Sequence, residues 1–184
     1  MNTSSTRFTN KRLILLGVLA LVVVALDQLA KAWIRGNLAV GDEIVLVPNV
    51  VHLSHVLNRG AAWSMLSGQR WLLVFVTIAV VGAILSVARG LVQKSALGAW
   101  SIGLILGGAL GNLIDRVLHG HVTDMIDMDT SLSFVRTFPV FNLADSALTM
   151  GVILLLWLSL WPGKIKTSSP APLVIKERRR RRSG

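Results

Sequence analysis

Residues 97–118 read LGAWSIGLILGGALGNLIDRVL. A helix needs about 20 mostly apolar residues to cross the hydrocarbon of a bilayer, and this stretch is long and apolar enough. Gly103, Gly107 and Gly111 recur at every fourth position, a spacing that lets a second backbone approach closely inside a membrane. The polar residues gather at one end, as Asn112, Asp115 and Arg116. At separations of three and four they share a helix face, with Asn112 adjacent to both others. Charge inside a membrane is costly, and charged groups that persist there usually serve function. One stretch therefore predicts a membrane helix, a close-packed neighbour and a polar cluster at one level.

Three further spans fit the same criteria, at 13–34, 71–88 and 142–161. The first resembles a secretory signal in its basic start and its Ala30-Lys31-Ala32, but three more apolar segments follow it. Composition agrees with a membrane protein: of 184 residues, 53% are hydrophobic and 15% charged, against about 45–50% and roughly 25% in globular chains. Cysteine is absent, which excludes disulfides, thiolate metal sites, a cysteine nucleophile and lipid carried on a cysteine of this chain.

The net charge of +10 is concentrated at the ends. Arg7, Lys11 and Arg12 precede the first span, and Lys164, Lys166, Lys176 and Arg178 to Arg182 follow the fourth. Such runs mark cytoplasmic flanks and suit anionic headgroups. The apolar remainder offers no module for nucleic acid. The expected organisation is a cytoplasmic basic N-terminus at 1–12, a four-helix domain at 13–162 and a disordered cytoplasmic tail at 163–184. The short connection Arg89–Lys94 is then cytoplasmic, and segments 35–70 and 119–141 face outward. Residues 43–57 are rich in Val, Ile and Leu around Pro48-Asn49 and predict two short strands and a turn. The fold class is an all-α membrane protein of four spans with a small outer sheet and loop. Trp63, Trp71 and Trp161 read as interface anchors.

Topology brings the polar groups to one depth. Asp27 lies about 14 residues into the first span, roughly 21 Å from its inner end. Lys31 shares its face. Asn58 and Arg59 precede the second span, Asn112, Asp115 and Arg116 end the third, and Asn142 and Asp145 begin the fourth. Asp124 lies in the connecting segment at the same level. Two carboxylates held close cannot both ionise cheaply; such a pair can activate water with one member and protonate the substrate with the other. Topology leaves open which two of Asp27, Asp115, Asp124 and Asp145 react.

Five stretches, DQLAK (27–31), NRGAAW (58–63), GGALGNLIDR (107–116), VTD (122–124) and FNLADS (141–146), occur in order along the chain. In this order they resemble bacterial lipoprotein signal peptidase, over about residues 13–161. The resemblance implies an aspartic endopeptidase of the inner membrane with its site on the periplasmic side. It implies cleavage of prolipoproteins just before the diacylglyceryl-cysteine, with Asp124 and Asp145 as the catalytic pair. Asp27, Lys31, Asn58, Gly60, Asn112, Asp115, Arg116, Asn142 and Ala144 match positions that support the site or contact substrate. The resemblance also implies inhibition by globomycin-type antibiotics. The carboxylate chemistry needs no cofactor or metal, contact with membrane lipid is expected, and nothing in the sequence demands more than a monomer.

Other chemistries remain to be weighed. Lys31 with Ser64 or Ser146 could form a serine–lysine peptidase. His52 with His55, and His119 with His121, are pairs at short spacing, but no His-Glu-x-x-His helix is present and such histidines read as surface residues. An ion path would need polar residues through the full depth, and the inner halves of the spans carry almost none. Asp127 and Asp129 read as a solvated outer loop.

Overall fold

The computed structural model describes residues 3–61, 65–129 and 138–160. The expected anchors Trp63 and Trp161, the alternative nucleophile Ser64 and the tail at 163–184 lie outside the described residues. Among the described residues, four helices are long and apolar enough to cross a membrane. They are α1 (Thr3–Asn37), α2 (Arg70–Lys94), α3 (Ala96–His119) and α4 (Leu143–Leu160). The first two exceed the predicted spans, because the intrahelical hydrogen bonds continue past the apolar stretch into the polar flanks. Residues 89–94, read above as a connection, are the last turns of α2.

The glycine-bearing helix, α3, is the centre and packs against the other three. Its stripe of small residues faces α1: a β-carbon on Gly103 or Gly107 would stand 3.0 Å from the carbonyl of Leu16 or Ala20. α1 answers with a buried face of Leu16, Ala20, Asp27, Lys31 and Ile34 at helical spacing. Its opposite face exposes Ile14, Leu21, Leu29 and Trp33, the surface a helix turns to lipid. On α3, Ser101 donates to the Gly151 carbonyl of α4 at 2.8 Å.

The joint between α2 and α3 is one residue. Ser95 is extended and its Oγ accepts from Gly98 N at 3.0 Å, opening α3. Arg12 donates to the carbonyls of Val92 and Gln93 at 3.2 and 2.9 Å, satisfying the end of α2 as a cation there should. At the other end of α3, Gly120 takes the left-handed conformation (φ 81°) and stops the helix.

The strands β1 (Glu43–Val47) and β2 (Val51–Asn58) form as predicted, around a turn in which Asn49 has φ 58°. A third strand was not foreseen: Val122–Asp127 is β3, giving an antiparallel sheet of order β1-β2-β3. Asp124 is therefore a strand residue and not a loop residue. Asp127 closes β3 opposite His52, so it is not part of a solvated loop. Polar residues interrupt any alternation in VTDMID, which hid the strand. Neither are all the histidines on the surface: His55 is buried, with Nδ1 2.8 Å from the Leu38 carbonyl. His52 stands 3.4 Å from Glu43 and 3.5 Å from Asp129. Trp71 is exposed at the start of α2, with the Arg70 guanidinium 4.9 Å over its ring.

Candidate active site

The local rules that start α4 also build half of the site. Asn142 caps the helix, its Oδ1 accepting from Asp145 N at 2.9 Å, while Asp145 Oδ2 accepts from Asn142 N at 3.2 Å. This reciprocal arrangement is a capping box in which Asn and Asp take the usual places. A carboxylate in the first turn is also favoured by the helix dipole. Phe141, just before, bridges to Ile126 of β3 and accepts from Met125 N and Ile126 N at 3.0 and 2.7 Å. The start of α4 is thus tied to the strand that carries Asp124.

Asp124 is 2% exposed. Its Oδ1 accepts from Asn142 Nδ2 at 2.6 Å and its Oδ2 from Asn58 Nδ2 at 3.0 Å. Asp145 Oδ1 accepts from Asn112 Nδ2 at 2.7 Å. Asn142 therefore touches both carboxylates, one through its amide and one through its backbone. Burial pushes the Asp124 carboxyl up to about 6, and the negative charge of Asp145 pushes the same way. The hydrogen bonds from Asn58 and Asn142 and the Lys31 cation oppose the shift without cancelling it.

Asp124 and Asp145 both line a cavity of about 530 Å³. Asn58, Asn112 and Arg116 join them at its polar end, and Val76, Val80, Ala109, Leu148 and Phe138 form apolar walls. Arg116 donates to the Gly60 carbonyl at 3.1 Å, and Gly60 N donates to Asn58 Oδ1 at 3.0 Å. Ala144, wholly buried, donates its N–H to Asp27 Oδ1 at 3.0 Å. Asp115 accepts from Thr123 N at 2.9 Å. Lys31 lies 2.8 Å from Asp27, 3.4 Å from Asp115 and 2.9 Å from Asn112. The structure brings together every residue singled out for the site.

The arrangement separates the four acids that topology left equivalent. Asp27 and Asp115 are wholly buried and paired with a cation; Asp124 and Asp145 face the cavity. The lysine ammonium is held by carboxylates and an amide, and Ser146 Oγ donates to the Asn142 carbonyl at 3.1 Å, so these two groups are not arranged as base and nucleophile.

Two supporting residues escaped the sequence reading. Gln28 Nε2 reaches Asp27, the Gly111 carbonyl and Asp115 at 3.2, 3.0 and 3.2 Å. Arg35 reaches Asp115 at 3.5 Å and Thr123 Oγ1 at 3.1 Å. The signal existed for Arg35, which continues the four-residue series Asp27, Lys31.

Among known proteins, the family described as "Signal peptidase (SPase) II" matches residues 19–161. Lipoprotein signal peptidase of Geobacillus thermodenitrificans is 44% identical over 146 residues, which is 78% of this chain and 88% of the relative. That of Listeria monocytogenes serotype 4b (strain CLIP80459) is 39% identical over 139 residues, 76% of this chain and 88% of the relative. A solved structure described as a bacterial membrane enzyme, obtained by the in meso method at 2.3 Å resolution, superposes with a TM-score of 0.70 at 36% identity. It covers 83% of this chain and 91% of its own.

Proposed function

The chain belongs to the signal peptidase II family, aspartic peptidases that remove signal peptides in lipoprotein maturation, and from that premise we propose that Asp124 and Asp145 are its catalytic pair. The observation that carries the proposal is that these two carboxylates, of the four in the cluster, line the cavity and share Asn142. One member, ionised, takes a proton from water as the water oxygen attacks the scissile carbonyl carbon. The other gives its proton to the carbonyl oxygen. The tetrahedral intermediate then collapses: the C–N bond breaks, the amine nitrogen takes the proton gained by the first member, and a hydroxyl of the intermediate returns a proton to the second. The proton belongs to the pair as a unit. Asn112 and Asn142 hold the carboxylates in place through the cycle, and Arg116 supplies positive charge at the same end of the cavity.

The substrate is a prolipoprotein, and the bond cut is the one before its diacylglyceryl-cysteine. A signal peptide is an apolar helix, and a cavity with apolar walls from α2, α3 and α4 suits it. The lipid on the cysteine stays in the outer leaflet, so the bond lies at the outer surface, level with the pair. The protein is a multi-pass membrane protein. We place it in the bacterial inner membrane, as a monomer in contact with lipid, with basic termini in the cytoplasm and with the periplasmic face carrying the site. Globomycin-type inhibitors bind by occupying the pair.

The deciding assay uses purified protein on diacylglyceryl-modified and unmodified precursor, with and without globomycin. Cleavage of the modified precursor alone, blocked by the antibiotic, is expected. Asp124→Asn and Asp145→Asn each lower kcat by a factor on the order of 10³ or more, as loss of one of two essential groups does. Full activity of either variant sinks the assignment.

A further inference from the structure

Asp27 and Asp115 do not line the cavity, yet each grips the backbone next to one member of the pair. Asp27 Oδ1 accepts from the N–H of Ala144, the residue before Asp145, at 3.0 Å. Asp115 Oδ2 accepts from the N–H of Thr123, the residue before Asp124, at 2.9 Å. Between the two acids stands one cation. Lys31 Nζ is 2.8 Å from Asp27 Oδ2 and 3.4 Å from Asp115 Oδ2, with all three side chains wholly buried.

The third contact of the ammonium is as pointed. Lysine has three N–H donors and no acceptor, and the remaining one goes to Asn112 Oδ1 at 2.9 Å. An amide whose oxygen is held by a cation must turn its nitrogen the other way. Asn112 Nδ2 accordingly donates to Asp145 Oδ1 at 2.7 Å. A single buried charge thus reaches Asp124 through Asp115 and Thr123, and Asp145 by two routes, through Asp27 with Ala144 and through Asn112.

Resting on the assignment of Asp124 and Asp145, we propose that Lys31 is the positioning residue of the reaction: it holds Asp27 and Asp115 where they set the separation of the catalytic carboxylates, and it aims Asn112 at Asp145. The carboxylates come from different elements, a strand and a helix, and productive geometry tolerates errors of only about 0.5 Å. A cation placed between two buried acids also offsets part of the cost of burying them. Arg35, mostly buried at 24% exposure, shares Asp115 at 3.5 Å. Lys31 is the cation that contacts both acids.

A strut that merely stabilised the fold would lower the amount of working enzyme. A residue that also sets the field at the pair moves its titration. Asp124 faces Asp145 from α4, Arg116 from α3 and Lys31 from α1, with uncharged Asn58 from β2. Removing the Lys31 cation deprives the ionised pair of an opposing charge.

The test is the pH profile of kcat/KM of the full-length protein in lipid, with a diacylglyceryl-modified precursor peptide. For Lys31→Met, kcat per folded molecule falls by about 100-fold or more, KM stays within about threefold, and the pH window moves upward by half a unit or more. Lys31→Gln keeps a donor for Asn112 and recovers part of kcat. Unchanged kcat in Lys31→Met, or reduced activity with the original pH window, overturns the proposal. If Lys31→Met fails to insert, Asp27→Asn/Lys31→Gln removes the unpaired acid and leaves Asp115 with Arg35; the same upward movement is expected. Failure of both variants to insert overturns the proposal in favour of a purely structural strut. Asp124→Asn and Asp145→Asn are measured alongside. Activity in either of those overturns the catalytic pair itself, whereas an unmoved pH window in the Lys31 variants leaves the pair standing.

Discussion

Asn142 shows how much one side chain can carry. It caps α4, donates 2.6 Å to Asp124, and through its backbone donates 3.2 Å to Asp145. Asn142→Ala is expected to cost about 1 kcal/mol of stability for the lost cap. It should also lower kcat by about 10- to 100-fold, the equivalent of one hydrogen bond to a charged group; thermal unfolding and kinetics on the same preparation separate the two. Asp124 carries a stability cost of its own. Its carboxyl is pushed from 3.8 to about 6 by burial and by Asp145. Between those values the folded chain binds more protons than the unfolded one, so stability falls as pH rises through the window and the cost is complete above about 6. Asp124→Asn, which stays neutral, is therefore expected to be more stable than the unaltered protein at pH 8, by up to about 3 kcal/mol, and to unfold at a higher temperature. The gain should shrink at pH 4.5. An equal or lower unfolding temperature at pH 8 contradicts this account. Stability would be given up here for a reactive group, as at many active sites. Spacing and depth do not separate Asp27 and Asp115 from the proposed catalytic pair. The family resemblance put them in the supporting set, and the direction of each carboxylate agrees with it.

At the scale of elements, the close contact of α3 with its neighbours holds the site together. A β-carbon on Gly111 would stand 2.6 Å from Asp27 Oδ2, and one on Gly108 would strike the carbonyl of Ala144. Gly111→Ala and Gly108→Ala are expected to lose about 1–3 kcal/mol through overpacking, and to lose activity because both push on the clamp before Asp145. Gly82 of α2 has open space around it. Gly82→Ala should leave activity unchanged and unfolding temperature equal or slightly higher. Unfolding curves in one detergent compare all three, and equal behaviour would show that the close approach is not needed. The four-residue glycine spacing was readable because a helix has a fixed period. The third strand was not, since Val122–Asp127 forms only by pairing with β2, 64 or more residues upstream in register, as in Asn58↔Val122.

For the whole molecule, the absence of cysteine makes topology directly measurable. Val50 in the β1–β2 turn and Lys94 at the end of α2 are both exposed. Val50→Cys in spheroplasts should react with a membrane-impermeant maleimide, and Lys94→Cys only after the membrane is opened. The reverse pattern would invert the proposed orientation, in which four spans put both basic ends on the cytoplasmic side. Exposed apolar faces on α1, α2 and α4 flank the largely buried α3, the arrangement expected of a bundle whose outer side chains meet lipid.

The sequence by itself determined that the chain is a membrane protein of four helices, that the third carries a glycine face for a close-packed neighbour, and that the polar groups collect at one depth. Each follows from composition and helical period, which are local properties. Tertiary structure decided which acids face the cavity, that Asp124 stands on a strand, and that one buried lysine joins the two halves of the site. These depend on groups distant in the chain meeting at hydrogen-bond distance, and no local pattern records where a side chain points once another segment has packed against it.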